Sequence, residues 1–325
     1  MAQEKDLAHV GVDVSKSKLD VALLVAAGKF RDKVVSNNRK GFAELVAWLA
    51  KHGVVRARVC MEATGVYWEE LAEYLADAGF EVSVVNPAHV KAYGESLGAR
   101  NKTDKVDARV IAQFCAERRP QAWQAPSRGV RELRALVRRR DALIDLRIQE
   151  LNRRDVASQP HVLRSIEEVI AHLDEQVKEI EKQIKKHIDS DPTLKEQAKL
   201  LHTIPGVADA TTGLFLSSYG DLRFATTRQA VAFVGLDTRY RQSGTSVRDK
   251  PRMSKKGDSR FRAKLYMPAV TAMTRTPWGK AFASRLLAAG KPKMLIVGAV
   301  MRKMVEIAYA ILKSGKPFNP ELHAA

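Results

Sequence analysis

The first 95 positions carry apolar residues in short runs set off by turn residues. Positions 8–14 are apolar except for His9, Gly11 and Asp13, and 19–25 and 29–35 follow as strand-length segments, the last alternating in character. Asn37-Asn38 and Gly41 mark a turn, and 42–51 has the period of a short amphipathic helix. A strand over 56–61, a helix over 67–78 and a strand over 81–85 come next. Pro87 then opens a helix at the early position that proline favours. The order βββαβαβα, continued by a helical run to about Arg118, predicts a mixed α/β sheet.

Beyond Trp123-Gln124-Ala125-Pro126-Ser127, which reads as a linker, the period becomes purely helical. Leu133, Leu136, Val137, Leu143, Ile144 and Leu151 recur at helical intervals over 130–156. Gln159-Pro160 breaks the run. Over 162–188, Ile166, Val169, Ile170, Leu173, Val177, Ile180, Ile184 and Ile188 approximate a heptad seam. Two long helices about a break predict an antiparallel hairpin or a coiled coil that joins subunits. Asp189-Ser190-Asp191-Pro192 ends them. Leu201-His202-Thr203-Ile204-Pro205-Gly206-Val207-Ala208 resembles a helix-hairpin-helix, with Ala208 where a second glycine is usual. Helices after Lys264, including 294–312, read as core. The expected division is 1–125 (α/β), 126–192 (coiled-coil helices) and 193–325 (basic and mainly helical).

Charge changes the picture. The 325 residues carry a formal net charge of +18, which points to a polyanionic partner, nucleic acid before membrane. No apolar run reaches the ~18 residues of a bilayer span, and 294–312 is interrupted by Arg302, Lys303 and Glu306. Cys60 and Cys115 are the only cysteines, and neither sits in a metal-binding spacing. With a polar start and no leader pattern, a reducing, cytoplasmic setting without membrane partners is expected. No phosphate-binding P-loop, dinucleotide fingerprint or nucleophile elbow occurs, so ATP, NAD and esterase chemistry are not indicated. At 6% aromatics, a base-stacking platform is weakly supported.

Two groups of residues could carry chemistry. Asp13 interrupts an apolar strand, where an unpartnered charge is costly. Glu62 ends the fourth strand. Asp104 and Asp107 are three apart and share a helix face. Either a divalent cation or the neighbours Lys102, Lys105 and Arg109 could balance that pair. Four carboxylates suit Mg²⁺ or Mn²⁺, and a two-ion site can hold both oxygens of a phosphodiester exchange. The second group spans 239–264. It has ten basic residues, among them Arg239, Arg241, Arg248, Arg252, Lys255 and Lys256, against Asp249 and Asp258. Gly235, Gly244 and Gly257 predict a loop-like stretch, and its charge is a phosphate-binding footprint. Within it, Ser243 either attacks a phosphodiester or hydrogen-bonds a phosphate; no histidine is nearby to act as base.

The order of elements, with its Asp, Glu, Asp, Asp, looks like the RNase H-like fold of the Holliday-junction resolvase type. Three strings narrow this: Gly11-Val12-Asp13-Val14-Ser15-Lys16, Met61-Glu62-Ala63-Thr64-Gly65 and Asn101-Lys102-Thr103-Asp104-Lys105-Val106-Asp107-Ala108-Arg109. They resemble the DEDD transposases of bacterial insertion sequences, relatives of the Piv and MooV DNA invertases. Gly235-Leu236, Ser243-Gly244, Arg252-Met253-Ser254-Lys255 and Gly257 resemble the carboxy-terminal transposase domain of the same family. The resemblance implies that Asp13, Glu62, Asp104 and Asp107 hold Mg²⁺ and that Ser243 is the nucleophile, with Ser246 and Ser254 weaker candidates. It also implies donor and target DNA chosen by a bridge RNA, and a dimer-to-tetramer assembly in which one subunit's acidic site meets another's serine. Two rival functions are a metal-dependent junction resolvase that ignores Ser243 and a non-catalytic basic nucleic-acid-binding protein.

Overall fold

Three strands joined by tight turns, β1 (Ala8–Val14), β2 (Lys18–Ala26) and β3 (Lys29–Ser36), make an antiparallel meander. After α1 (Arg39–Lys51), β4 (Ala57–Glu62) joins β1 in parallel; after α2 (Glu69–Asp77), β5 (Glu81–Val85) joins β4 in parallel. The five-stranded mixed sheet has the order β3-β2-β1-β4-β5. Helices α3 (Pro87–Ser96) and α4 (Asp104–Arg118) follow. The computed structural model describes residues 7–63, 65–97, 104–240, 242–243, 247–248 and 251–323, with the side chains of residues 104, 105, 242, 243, 247, 248 and 323 outside that description. It divides into two compact units, 1–125 and 126–325.

Strand alternation gives the sheet two different faces. Val10, Val12, Leu19, Val21, Val59 and Met61 bury against Phe42, Leu45 and Leu49 of α1 and Leu71 and Leu75 of α2. The opposite face is covered by α4. There Ala22 packs with Ala108 and Ala112, and Cys60 packs with Ile111 and Cys115. Gly11 lets α4 come this close: a Cβ at that position would stand 2.2 Å from the Ala108 carbonyl oxygen and 2.3 Å from the Ala112 nitrogen. Local signals start the helices. The Asn38 side chain accepts the Gly41 N–H at 3.0 Å at the head of α1, and Asn86 accepts Ala88 N–H at 2.9 Å, with Pro87 at the first turn of α3.

The second unit starts with the hairpin α5 (Arg128–Val156) and α6 (Pro160–Ser190), with Pro160 at the first turn of α6. Much of the apolar stripe is used inside one chain. Val130, Leu133, Val137, Ile184 and Ile188 bury in the same core as the later helices, while Leu143, Ile170 and Leu173 are also buried. Arg147 pairs with Asp174 across the hairpin. Val169, read as part of the seam, is 43% exposed. The remaining helices are α7 (Pro192–His202), α8 (Asp209–Tyr219), α9 (Thr227–Phe233), α10 (Ser259–Arg275), α11 (Pro277–Ala288) and α12 (Lys293–Ser314). As the sequence pattern suggests, α12 is core: Val300, Met304, Val305, Ala308 and Tyr309 are buried. The Tyr219 ring meets Phe261 and Tyr309 edge-on at 5.6 Å. Among the described residues, no helix is long and apolar enough to cross a membrane.

The α7–α8 connection keeps the expected order of helix, hairpin and helix, and one local reading changes. The α7–α8 connection is anchored by packing: Ile204 and Val207 are buried, Gly206 takes φ +96° against Ala272 and Thr276, and Trp278 Nε1 donates to the Pro205 carbonyl at 3.0 Å. Its tip is exposed, and Asp209 meets His202 there at 3.1 Å. The stretch expected to be loop-like instead folds back as a ribbon. In it β6 (Thr238–Arg239) pairs antiparallel with β9 (Arg252–Met253), and β7 (Gln242–Ser243) pairs with β8 (Val247–Arg248). Each pair is only two residues long, too short for hydrophobic periodicity to register. Arg260, Arg262 and Lys264 lie on α10.

Candidate active site

The acidic residues of the first unit inherit their positions from strand parity. Val12 and Val14 face α1 and α2, so Asp13 lies on the α4 face of β1. Met61 likewise faces α1 and α2, leaving Glu62 on the α4 face at the end of β4. Asp104 is the first residue of α4, and Asp107 lies one turn later, next to the Ala108 that crosses β1 at Gly11. The close crossing therefore brings the Asp107 turn toward the strand that holds Asp13. The Asp104 side chain is outside the described residues, as are Asn101, Lys102, Thr103 and the Lys105 side chain. Asp13, Glu62 and Asp107 each have partners within the fold.

Two carboxylates on this face were missed from the sequence. Asp20 stands directly opposite Asp13 in the β1–β2 register, is buried, and has Lys18 Nζ at 3.1 Å. Residues opposite each other across an antiparallel pair share a face, so like charges there repel unless a cation relieves them. Asp32 on β3 is engaged by Arg109, whose Nε donates at 2.9 Å and whose terminal nitrogen completes a two-pronged contact. The Arg109 guanidinium also lies over the Phe30 ring, 5.4 Å from its centroid. Arg109, one of the cations that could have balanced Asp104 and Asp107, is thus committed to β3. A cavity of about 160 Å³ opens along this edge, lined by Asp20, Asp32, Lys33 and Ala108 among others. Only strand register could have revealed Asp20 and Asp32, because neither interrupts a recognisable string.

The donor set here is carboxylate oxygen, the chemistry that hard divalent cations take. Among the described residues, no three His, Cys, Asp or Glu side chains come together closely enough to hold an ion. The Asp104 side chain is not among those residues.

The basic group is built on the ribbon. Ser243 pairs with Val247, and Gln242 with Arg248, which puts Ser243 on the rung nearest the ribbon tip. Arg239 stands directly opposite Arg252, both exposed. Two cations facing each other across strands destabilise the pair, and an anion bound between them would remove that cost. Gly235 takes φ +68°, and a Cβ on Gly257 would meet the Phe233 carbonyl oxygen at 2.4 Å, so both glycines hold the ribbon base against α9. Ser254 hydrogen-bonds Asp237 on the same base. Lys255 takes φ +54°, and Lys256 is exposed beside it. Arg241, Gly244, Thr245, Ser246, Asp249 and Lys250 lie outside the described residues, as do the Ser243 and Arg248 side chains.

Comparison with known proteins matches both groups. Residues 10–157 match a family of DEDD transposases, and residues 198–284 match the transposase IS116/IS110/IS902 family. The pilin gene-inverting protein of Moraxella bovis is 33% identical over 319 residues, covering 97% of this chain and 98% of its own. The corresponding protein of Moraxella lacunata is also 33% identical with the same coverage. The transposase for insertion sequence element IS1328 of Yersinia enterocolitica is 26% identical over 77% of this chain and 82% of its own. Both family matches and these relatives agree with the resemblance read from the strings, and the chain belongs to the IS116/IS110/IS902 family of transposases.

Proposed function

We propose that this chain is an insertion-sequence transposase that performs site-specific DNA recombination with a carboxylate site and a serine nucleophile. The observation that carries the reading is the shared α4 face of Asp13 and Glu62, against which Gly11 lets the Asp107 turn of α4 close. The strand order β3-β2-β1-β4-β5 with α4 across it supports an RNase H-like unit. Asp13, Glu62, Asp104 and Asp107 are the residues that would hold Mg²⁺ or Mn²⁺. When bound, such an ion supplies Lewis-acid stabilisation of phosphodiester oxygens.

Ser243 is the proposed nucleophile. Its Oγ bonds to phosphorus, the bond from phosphorus to the 3′ oxygen breaks, the serine proton is released, and the departing 3′ oxygen takes up a proton. The product is a phosphoserine link and a free 3′-hydroxyl, which the reverse step can rejoin to a new end. Arg239, Arg241, Arg248, Arg252, Lys255 and Lys256 would grip the phosphates beside it, and the facing Arg239 and Arg252 favour an anion between them. Separate family matches to the stretch with the carboxylates and the stretch with Ser243 support a role for both. A bridge RNA that selects donor and target DNA, and a tetramer, are carried over from the family resemblance alone.

Trapping a covalent protein–DNA adduct tests this reading. Wild-type protein with Mg²⁺ and element-end DNA should form one, while Ser243→Ala and Asp104→Ala should bind DNA and form none. If Ser243→Ala still cuts and rejoins DNA, the serine step is wrong and a metal-dependent resolvase replaces it.

A further inference from the structure

The parallel ladder between β1 and β4 runs from Ala8 with Ala57 to Val12 with Met61. The next residue on each strand is a carboxylate, Asp13 on β1 and Glu62 on β4. Past the last pair the two strands keep other partners: Asp13 faces Asp20 on β2, and Glu62 faces Val85 on β5. Among the described residues, no ladder joins β1 to β4 beyond Val12 and Met61. The sheet thus splits where the two acidic side chains begin, and strand pairing alone does not fix the width of that split.

Asn37, in the turn between β3 and α1, ties the two sides together. Its side-chain nitrogen donates to the Ser15 carbonyl at 2.7 Å and to the Tyr67 carbonyl at 3.1 Å. Ser15 lies two residues beyond Asp13, and Tyr67 five beyond Glu62. Carbonyl oxygens only accept, and a primary amide has one N–H for each of them. The base of this arm is itself held. The Asn37 backbone N–H donates to the Ser17 carbonyl at 3.0 Å, and Asn38 caps α1 at the next position. Gly41 lets α1 start against the end of β3, since a Cβ there would stand 1.9 Å from the Ser36 carbonyl oxygen. On the far side, Tyr67 belongs to a turn closed on itself. Trp68 Nε1 donates to the Gly65 carbonyl at 3.2 Å, and the Glu69 N–H donates to the Val66 carbonyl at 3.2 Å.

We propose that Asn37 is a positioning residue of the carboxylate site: it sets the gap between the ends of β1 and β4, and through it the separation of Asp13 and Glu62. The inference rests on the reading that these carboxylates hold a divalent ion. Mg²⁺ demands a near-ideal arrangement of its oxygen donors, so a change in that separation weakens binding. Groups that orient metal ligands are worth about 10–100-fold in affinity. Asn37 acts through two backbone segments and needs no contact with the ion.

Binding of Mn²⁺ to the full-length protein without DNA, followed by the free-ion signal in electron paramagnetic resonance, tests it. The site is the Mn²⁺ that the wild type holds and Asp13→Asn loses. Asn37→Leu, close in shape but without donors, should bind that Mn²⁺ about tenfold more weakly, and Asn37→Ala should do the same. Asn38→Ala removes the α1 cap and leaves the Asn37 side chain in place; it should lower the melting temperature and keep the parent Mn²⁺ affinity. Should Asn37→Leu fail to fold, Asn37→Ala decides. Parent affinity in folded Asn37→Ala, or an equal loss of affinity in Asn38→Ala, would overturn the inference and leave Asn37 as a stabiliser of its turn. Mn²⁺ binding that is the same in the wild type and Asp13→Asn would instead remove the carboxylate reading on which the inference rests.

Discussion

The Ser254 hydroxyl donates to the Asp237 carboxylate, while the Ser254 backbone N–H donates to the Asp237 carbonyl at 2.9 Å. These two bonds close the ribbon one residue outside its first rung, Thr238 with Met253. Ser254 Oγ also accepts the Lys256 N–H at 3.3 Å. The pair thus sets where β6 and β9 leave the helical body, and through them where the Ser243 rung lies.

If the clamp positions Ser243, loosening it should affect chemistry more than binding. A hydrogen bond to a charged partner contributes roughly 1.5–3 kcal/mol, about a tenfold effect or more. Ser254→Ala should bind DNA within about threefold of the parent and form covalent adduct about tenfold more slowly. Ser254→Thr should restore the rate. An unchanged adduct rate in Ser254→Ala would show that the ribbon holds its shape without the clamp.

Gly11 has no room for a side chain. Gly11→Ala would place Cβ 2.2 Å from the Ala108 oxygen, so α4 must lift from β1. Overpacking of this kind costs roughly 1–3 kcal/mol. Urea unfolding followed by circular dichroism should show that loss, and strand cleavage should fall further than stability because Asp104 and Asp107 ride on α4. Parent-like cleavage in Gly11→Ala would show that the close crossing is dispensable for the carboxylate site.

The helical hairpin should report on the stability of a single chain. Leu173 and Ile184 are buried within the chain. Truncation of either to Ala should cost about 2–5 kcal/mol, and the drop in melting temperature should be the same at high and low protein concentration. A drop that vanishes on dilution would mean that these side chains act between subunits.

Alkaline pH should unfold the protein through its tyrosines. Burial raises the Tyr219 and Tyr309 pKa values and is the first cause of a Tyr93 value pushed up to about 12. Unfolded tyrosines ionise near pH 10. Above that pH the unfolded chain binds fewer protons than the native one, so stability is full below about pH 10 and declines as pH rises toward 12 and beyond. Tyr93→Phe should flatten the first part of that decline, as read by urea midpoints between pH 9 and 12. An identical pH profile for Tyr93→Phe would remove Tyr93 from the cause.

Much of the first unit could be read from the chain itself. Strands of seven to nine residues set off by turns, such as β1 and β2, leave short, largely buried apolar runs. Asn38, Asn86 and Pro87 announce helix starts by local chemistry that needs no tertiary contact. The strings around Asp13, Glu62 and Asp107 carried the family, which the 33% identity to the pilin gene-inverting proteins supports. Other relationships depend on partners far apart in sequence, and only the folded chain supplies those. Asp20 came to face Asp13 through strand register, and Arg109 was taken from the Asp107 turn by Asp32, 77 residues away. The heptad-like stripe was equally consistent with burial inside one chain or between two, because periodicity records that a face is apolar and not what covers it. Packing of Val130, Ile184 and Ile188 into the core of the later helices decided it for that end of the hairpin. The ribbon rungs around Ser243 are two residues long, so their pairing was set by Gly235, Gly257 and the Asp237–Ser254 clamp, by backbone approach and one charged hydrogen bond rather than by any repeating pattern.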